Sequence, residues 1–303
     1  MHIPDGFLTA PVYLPLGAAS AAGLALAARQ ARREIDSDRA PLLGLMGAFI
    51  FAAQMINFPV GPGTTGHLLG AGLLTSTLGP AAAAVVMAAI LVVQALLFQD
   101  GGVLALGANV FNMALAATLA AHFVFKLFAR GRLRRAAIFL GSAIGVMIAA
   151  LLTISELRLA GIPVPGKLLG VSLVLFAANA CLEGVITMAA VGVLERMNPG
   201  WVKLPAAEMT NFVAAALGLA SLLLATAGVW VASSDPDGLE KLAEQLGVAE
   251  RARNFAGAPF PDYLIARFDS SWASKSLAGA AGLVVVFALL VLGGRAWLRR
   301  KDA

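Results

Sequence analysis

The chain opens Met1-His2-Ile3-Pro4-Asp5-Gly6, and a histidine in second position puts three nitrogens within reach of one metal ion. They are the α-amine, the backbone amide nitrogen of His2 and the His2 ring Nδ1. The first two close a five-membered chelate ring with the ion, and the last two a six-membered one. A fourth nitrogen would complete a square-planar N4 set, the geometry diagnostic of Ni(II) or Cu(II). His67 is the candidate, at the end of Gly61-Pro62-Gly63-Thr64-Thr65-Gly66-His67. A deprotonated amide also removes one unit of charge, which eases holding a divalent ion away from bulk water. His2 is too large for ordinary initiator-methionine removal, so Met1 is expected to keep its amine where the chelate needs it. Pro4, Asp5 and Gly6 are turn residues able to fold the terminus back. Taken singly, His2 reads as an exposed terminal residue and His67 as a hydrogen-bonded structural histidine. The two together, expected on one side of the molecule, favour the ligand reading.

Other polar groups carry less. Asn57, Gln99, Asp100, Asn109 and Asn112 fall at or near helix ends and could hydrogen-bond the ligand imidazoles, Asn57 and Asn109 foremost; capping or interhelical hydrogen bonding serves each equally well. Glu183 lies inside an apolar run, where an ionisable group is costly and marks function or a paired partner. His122, beside Lys126, and the lone Cys181 read as structural; a single cysteine excludes a disulfide within the chain and a cysteine-based metal cage. Gly161-Ile162-Pro163-Val164-Pro165-Gly166-Lys167 has the spacing of a phosphate-binding loop. It lacks the following Ser or Thr, and its prolines remove donors the cradle requires. No catalytic or cofactor-binding residue is expected, and no nucleotide site.

The elements that must position these groups follow from composition. Of 303 residues, 59% are hydrophobic and only 13% charged, which indicates an integral membrane protein. The net charge of +5 does not indicate nucleic acid, because the basic residues form short clusters between apolar runs. No basic stretch precedes the first apolar run, so a cleaved signal peptide is not expected. Helical spans are expected at 11–28, 41–57, 68–79, 81–98, 103–125, 136–154, 168–194, 209–232 and 276–298. The fold class is therefore all-α: a polytopic helical bundle of about nine transmembrane helices, seven before residue 205 and two after it. A small extracytoplasmic segment, 233–275, with a helix near 239–253, separates the last two.

Topology sharpens the reading of His67. The clusters Arg29 to Arg39, Lys126 to Arg135, Arg196 with Lys203, and Arg295 to Lys301 hold 15 of the 22 Lys and Arg. The positive-inside rule puts them in the cytoplasm, with the N-terminus outside and the C-terminus inside. Two crossings must then fall between residues 67 and 99. Segment 68–79 must be one of them, although its rise is only ~18 Å against a ~30 Å core. The loop before it has to dip inward, and irregular backbone at that depth is tolerated only when buried in protein or lining a cavity. His67 is expected at the floor of an outward-facing pocket.

Met1 to Leu8, Gly47 to Pro59, Thr65-Gly66-His67-Leu68-Leu69-Gly70, Phe98 to Gly102 and Gly107-Ala108-Asn109 closely resemble the CbiM/NikM family, the substrate-capture membrane component of cobalt and nickel energy-coupling-factor transporters. The resemblance covers roughly residues 1–205. Residues 206–303, with Pro236-Asp237-Gly238-Leu239-Glu240 between two spans, look like the small accessory component of the same importers, fused in one chain. The resemblance implies Met1, His2 and His67 as metal ligands and a nickel or cobalt ion as transported substrate. It also implies a transmembrane coupling subunit and cytoplasmic ATPases as partners, in the cell's inner membrane. The competing class is an ion-coupled secondary carrier without an ATPase, for which Glu183 is the intramembrane candidate. An intramembrane metalloenzyme is disfavoured, since His-Glu-x-x-His is absent.

Overall fold

Backbone in hydrocarbon must satisfy its hydrogen bonds internally, so long apolar runs have little choice but helix. The computed structural model describes residues 1–35, 39–197, 211–230, 232–253, 257–265 and 271–299. In order the elements are α1 (Ala10–Glu34), α2 (Ala40–Gln54), β1 (Phe58–Gly61), β2 (Thr64–Gly66), α3 (Ala71–Leu78), α4 (Pro80–Phe98), α5 (Leu106–Phe128), α6 (Arg134–Leu159), α7 (Gly166–Met197), α8 (Asn211–Thr226), α9 (Gly238–Gln245) and α10 (Ser271–Arg299). Among the described residues six helices are long and apolar enough to span a bilayer unaided, while α2 and Ala215–Trp230 are shorter apolar helices. With α3 these make the nine expected crossing elements. The expected boundary at 205 and 206, the first residues of the 209–232 run, Lys203, Arg300 and Lys301 lie outside the described residues.

α3 is shorter than its apolar run, because Gly70 (φ 81°) and Gly79 (φ 80°) bracket it in conformations that other residues avoid. Its eight residues rise about 12 Å. Gly79 turns the chain directly into α4, which starts on Pro80, a residue pre-set for a first helical position. The stretch entering α3 is not wholly irregular: β1 and β2 pair antiparallel across Pro62-Gly63, with Gly63 at φ 58°. Pro followed by a positive-φ Gly is a tight-turn signature that closes such a hairpin. The external helix is also shorter than expected, since Gly247 (φ 66°) stops α9 soon after Gln245.

The bundle packs α6 on both α5 and α7, and α2 against α8 and α10. Met1, the β1–β2 hairpin, the 99–105 turn and residues 232–253 and 257–265 meet at one end. The basic residues of α1, of the α5–α6 turn, and of the ends of α7 and α10 sit at helix ends on the opposite side.

Candidate metal-binding site

Three anchors fix the first residues of the chain. Ile3, fully buried, donates its N–H to Asn109 Oδ1 (2.8 Å), while its carbonyl accepts from Asn109 Nδ2 (3.0 Å) and from Gly102 N (2.8 Å). Asp5 accepts from the N–H groups of Val103 (3.0 Å), Leu104 (2.8 Å) and Ala105 (3.1 Å), capping the entry to α5. Its carbonyl accepts from Arg253 N (2.8 Å). Gly102 is required here, because a Cβ would lie 2.1 Å from Asp5 Oδ1. Asn109 is therefore a site residue that acts on backbone rather than on an imidazole. Just beyond it, Val110–Ala116 takes π-helical geometry, a local widening that often marks a functional position.

A second set of bonds fixes His67 on extended chain inside the bundle. Its carbonyl accepts from Asn179 Nδ2 of α7 (3.3 Å), and the next carbonyl but one, Leu69 O, accepts from Gln54 Nε2 of α2 (2.8 Å). Gln54 is itself bonded by Gln94 Nε2 of α4 (2.9 Å). Glu183 accepts from Leu69 N (2.7 Å) and Gly70 N (2.8 Å), so its two oxygens cap the start of α3. Two helices, α2 and α7, thus supply what a regular ladder would have supplied, which lets backbone run at this depth without helix.

These anchors bring the chain end and His67 together. The Met1 amine lies 3.2 Å from His67 Nε2, although 66 residues separate them, and the His2 and His67 rings stack at 5.3 Å with 10° between planes. His67 Nδ1 lies 3.0 Å from Leu68 O. A carbonyl only accepts, so Nδ1 carries the proton and Nε2 turns its lone pair toward the amine. Burial, then the positive charge of the Met1 amine, lower the His67 pKa to about 4, leaving the ring neutral and available as a donor.

His2 is placed differently from the expected chelate. Its Nδ1 faces Asp100 Oδ1 at 2.9 Å, and its buried Nε2 has no partner. A carboxylate is the strongest acceptor within reach while no ion is bound. Asp100 in turn accepts from the Tyr263 hydroxyl (2.7 Å). Burial opposes the ionised form of Asp100, yet His2, His67 and Tyr263 together hold its pKa well below the usual carboxylate range. Asn57 does not join the cluster: its carbonyl accepts from Ser233 N (2.8 Å), which ties the loop to the C-terminal segment. Asn112 bonds Glu156 (2.8 Å) and Thr153 (3.3 Å) of α6 instead.

The residue that sequence reasoning missed is Asp237. It caps α9, accepting from Leu239 N (2.7 Å) and Glu240 N (2.9 Å) on Oδ1, while Glu240 accepts from Asp237 N (2.8 Å). Its other oxygen, Oδ2, pairs with the Met1 amine and lies 4.0 Å from His67 Nε2. Burial raises the Asp237 pKa, but the Met1 amine and His67 outweigh it and lower the pKa to about 2. An Asp three residues before a Glu is legible as a capping box; the reach of its second oxygen to residue 1 is not.

The pocket is closed rather than open to the outside. Pro236 O accepts from Thr65 N (2.9 Å), Asp235 O accepts from Thr65 Oγ1 (2.9 Å), and Gly238 packs on Phe176. Met1 is 4% and His67 6% exposed. The space left among Met1, His67, Asn179 and Asp237 is about 10 Å³, about the least that holds one water molecule. Among the described residues no three His, Cys, Asp or Glu side chains could hold a metal by themselves.

Two known families match the chain. Residues 2–201 match CbiM, the cobalt uptake substrate-specific transmembrane region, and residues 211–299 match the PDGLE domain. The chain is 34% identical over 296 residues to the putative fused nickel transport protein NikMN of Archaeoglobus fulgidus, covering 95% of this chain and 96% of that one. It is 38% identical over 161 residues to the fused nickel transport protein NikMN of Rhodobacter capsulatus, covering 52% and 46% of the two. A crystal structure of a truncated transition metal transporter superposes with a TM-score of 0.58 at 35% identity, over 65% of this chain and 99% of that one.

Proposed function

We propose, for a chain that belongs to the cobalt uptake substrate-specific transmembrane (CbiM) family and carries a PDGLE domain behind it, that it captures a nickel or cobalt ion outside the cell for ATP-driven import. The family's description as cobalt uptake and the relatives' as nickel transport support reading the chain as a multi-pass membrane component of metal transport rather than an enzyme. In the proposal residues 1–205 are the capture domain and 206–303 the accessory domain. The motor belongs to partners, a transmembrane coupling subunit and cytoplasmic ATPases. The basic helix ends then face the cytoplasm of the inner membrane, and the Met1 end faces outward.

The observation that carries this reading is a buried α-amine 3.2 Å from the lone pair of His67 Nε2. A buried chain end is costly unless something uses it. The ligands are the Met1 amine, the His2 amide nitrogen and Nδ1, and His67. Loading turns the His2 ring about its Cβ–Cγ bond, so that Nδ1 leaves Asp100 and faces the ion. Asp100 and Asn109 then act on the ligands' surroundings, Asp100 as a nearby negative charge and Asn109 by holding Ile3 beside the chelate. Both oxygens of Glu183 accept from backbone N–H groups, which supports a structural role for it and favours this reading over the ion-coupled alternative.

The test has two arms. Titrated with Ni2+ and Co2+, the purified chain should bind one ion, and His67→Ala should weaken binding by orders of magnitude while remaining folded. In cells, uptake should vanish when the partner ATPase is inactivated. Unchanged affinity in His67→Ala, or undiminished uptake without the ATPase, would overturn the respective half.

A further inference from the structure

We infer that Asp237 is itself a ligand to the transported ion, so that the capture site is completed by a carboxylate from the PDGLE-matching part of the chain. The inference rests on the proposed site of Met1 and His67 and adds a donor of different chemistry to it.

Asp237 uses its two oxygens for different tasks. Oδ1 is committed to α9 by two backbone N–H groups, which orients the carboxylate rigidly. Oδ2 makes no bond within its own segment; it points into the site, on the Met1 amine. The 4.0 Å between Oδ2 and His67 Nε2 is twice a metal–nitrogen or metal–oxygen bond of about 2.0 Å. Donors so spaced can be reached by one ion, and the amine borders each, so Oδ2 is a fifth donor beside the four nitrogens. These are the donors that already converge, whereas His2 Nδ1 must first leave Asp100. The remaining space, about 10 Å³, admits an ion stripped of its water, which is the circumstance in which a protein must supply the missing negative charge.

The surrounding contacts hold Asp237 in register with His67. Thr65, two residues before His67, is bonded by its N–H to Pro236 O and by its hydroxyl to Asp235 O. The residues on either side of the two donors are thus zipped together by a bridge between Thr65 and Asp237. Gly238 allows the close approach, since a Cβ there would stand 3.0 Å from the Phe176 ring.

The test uses the full chain purified in detergent and titrated with Ni2+ alone. Asp237→Asn removes the charge, but asparagine caps helices as well as aspartate does, so α9 keeps its start. Asp237→Ser, also a good cap, is the second variant should the first not fold. Glu244→Gln, an exposed carboxylate on the same helix, is the control. Asp237→Asn and Asp237→Ser should each weaken Ni2+ binding about 10–100-fold, the range for groups that tune a metal site, with Glu244→Gln unchanged. Wild-type affinity in both Asp237 variants while His67→Ala loses binding overturns this inference and leaves the capture site standing. Tighter binding by the variants also overturns it, showing that Asp237 competes with the ion. Loss in neither His67→Ala nor the Asp237 variants overturns the capture site as well.

Discussion

One residue added before Met1 should abolish high-affinity metal binding. Extension converts the amine to an amide, whose nitrogen is far less basic and carries no charge. The pair with Asp237 and the contact to His67 Nε2 are both lost. Met1 is 4% exposed and the Asp237 side chain 14%, so the pair is largely buried. Removing one partner of such a pair costs about 3–5 kcal/mol, and every 1.4 kcal/mol is tenfold in an equilibrium. An extended chain is therefore expected to shift its folding equilibrium about 100- to 4,000-fold toward the unfolded state, and the lost chelate ring comes on top of this in the metal affinity. Sterics act in the same direction, because the adjoining cavity of about 10 Å³ cannot take another residue. The anchors at Ile3 and Asp5 prevent the strand from sliding outward to make room. The assay is metal content per chain for an N-terminally extended protein and a C-terminally tagged one, purified side by side. Equal stoichiometry and equal affinity would refute the terminal-amine site and the reasoning built on Met1.

Glu183→Gln leaves one of the N–H groups of Leu69 and Gly70 facing another donor, at a cost of roughly 1–3 kcal/mol for an unsatisfied buried group; thermal unfolding should show the loss, with metal affinity falling as the His67 loop loosens. Gly66→Ala puts a Cβ 2.1 Å from Asn179 Oδ1, so Asn179 must release the His67 carbonyl; a destabilisation of about 1–3 kcal/mol should accompany weaker binding, and an indifferent protein would contradict the packing. Asp5→Ala removes the acceptor for three N–H groups at the start of α5, and about 1–2 kcal/mol of stability is expected to go with it, read by denaturation with and without Ni2+. Truncation near residue 205 should leave a bundle that still binds the ion, though more weakly for want of Asp237, and transport with partners should be impaired. Full transport by the truncated chain would count against the accessory role.

The crossing elements were legible because each is an uninterrupted apolar run, and a run of that length in hydrocarbon has only helix available to it. The meeting of residue 1 with His67 was legible for a less direct reason. Counting crossings between basic clusters forced a segment too short for the bilayer, and the loop before it had to dip. What the loops do once they arrive was not legible. The capping by Asp5 and the reach of Asp237 join residues far apart in sequence, and polar loop residues carry no periodicity to betray their partners; the β1–β2 hairpin is local but too short to show an alternating pattern. Even Asn57 and Asn109, both plausible as hydrogen-bonding partners of the imidazoles, part company for this reason: Asn109 lies where Ile3 threads past it, and Asn57 lies where Ser233 crosses.

The polar side chains inside the apolar helices acquire a common explanation from the site. A metal site that uses backbone nitrogen needs chain that is not helical, and such chain cannot descend into the bundle unless its N–H and C=O groups find partners there. Gln54, Asn179 and Glu183 supply those partners for residues 67 to 70, and Asn109 supplies them for Ile3. Asn179 and Glu183 stand on α7, Gln54 on α2 and Asn109 on α5, so the two approaching strands are held from several sides and cannot shift independently. An isolated Glu or Asn in a span would ordinarily suggest a path for ions. Here those groups are spent on the backbone, and their positions follow the route of the two strands to the point where the amine and His67 meet. The ion is therefore expected to be held at that end of the bundle, where the two strands meet.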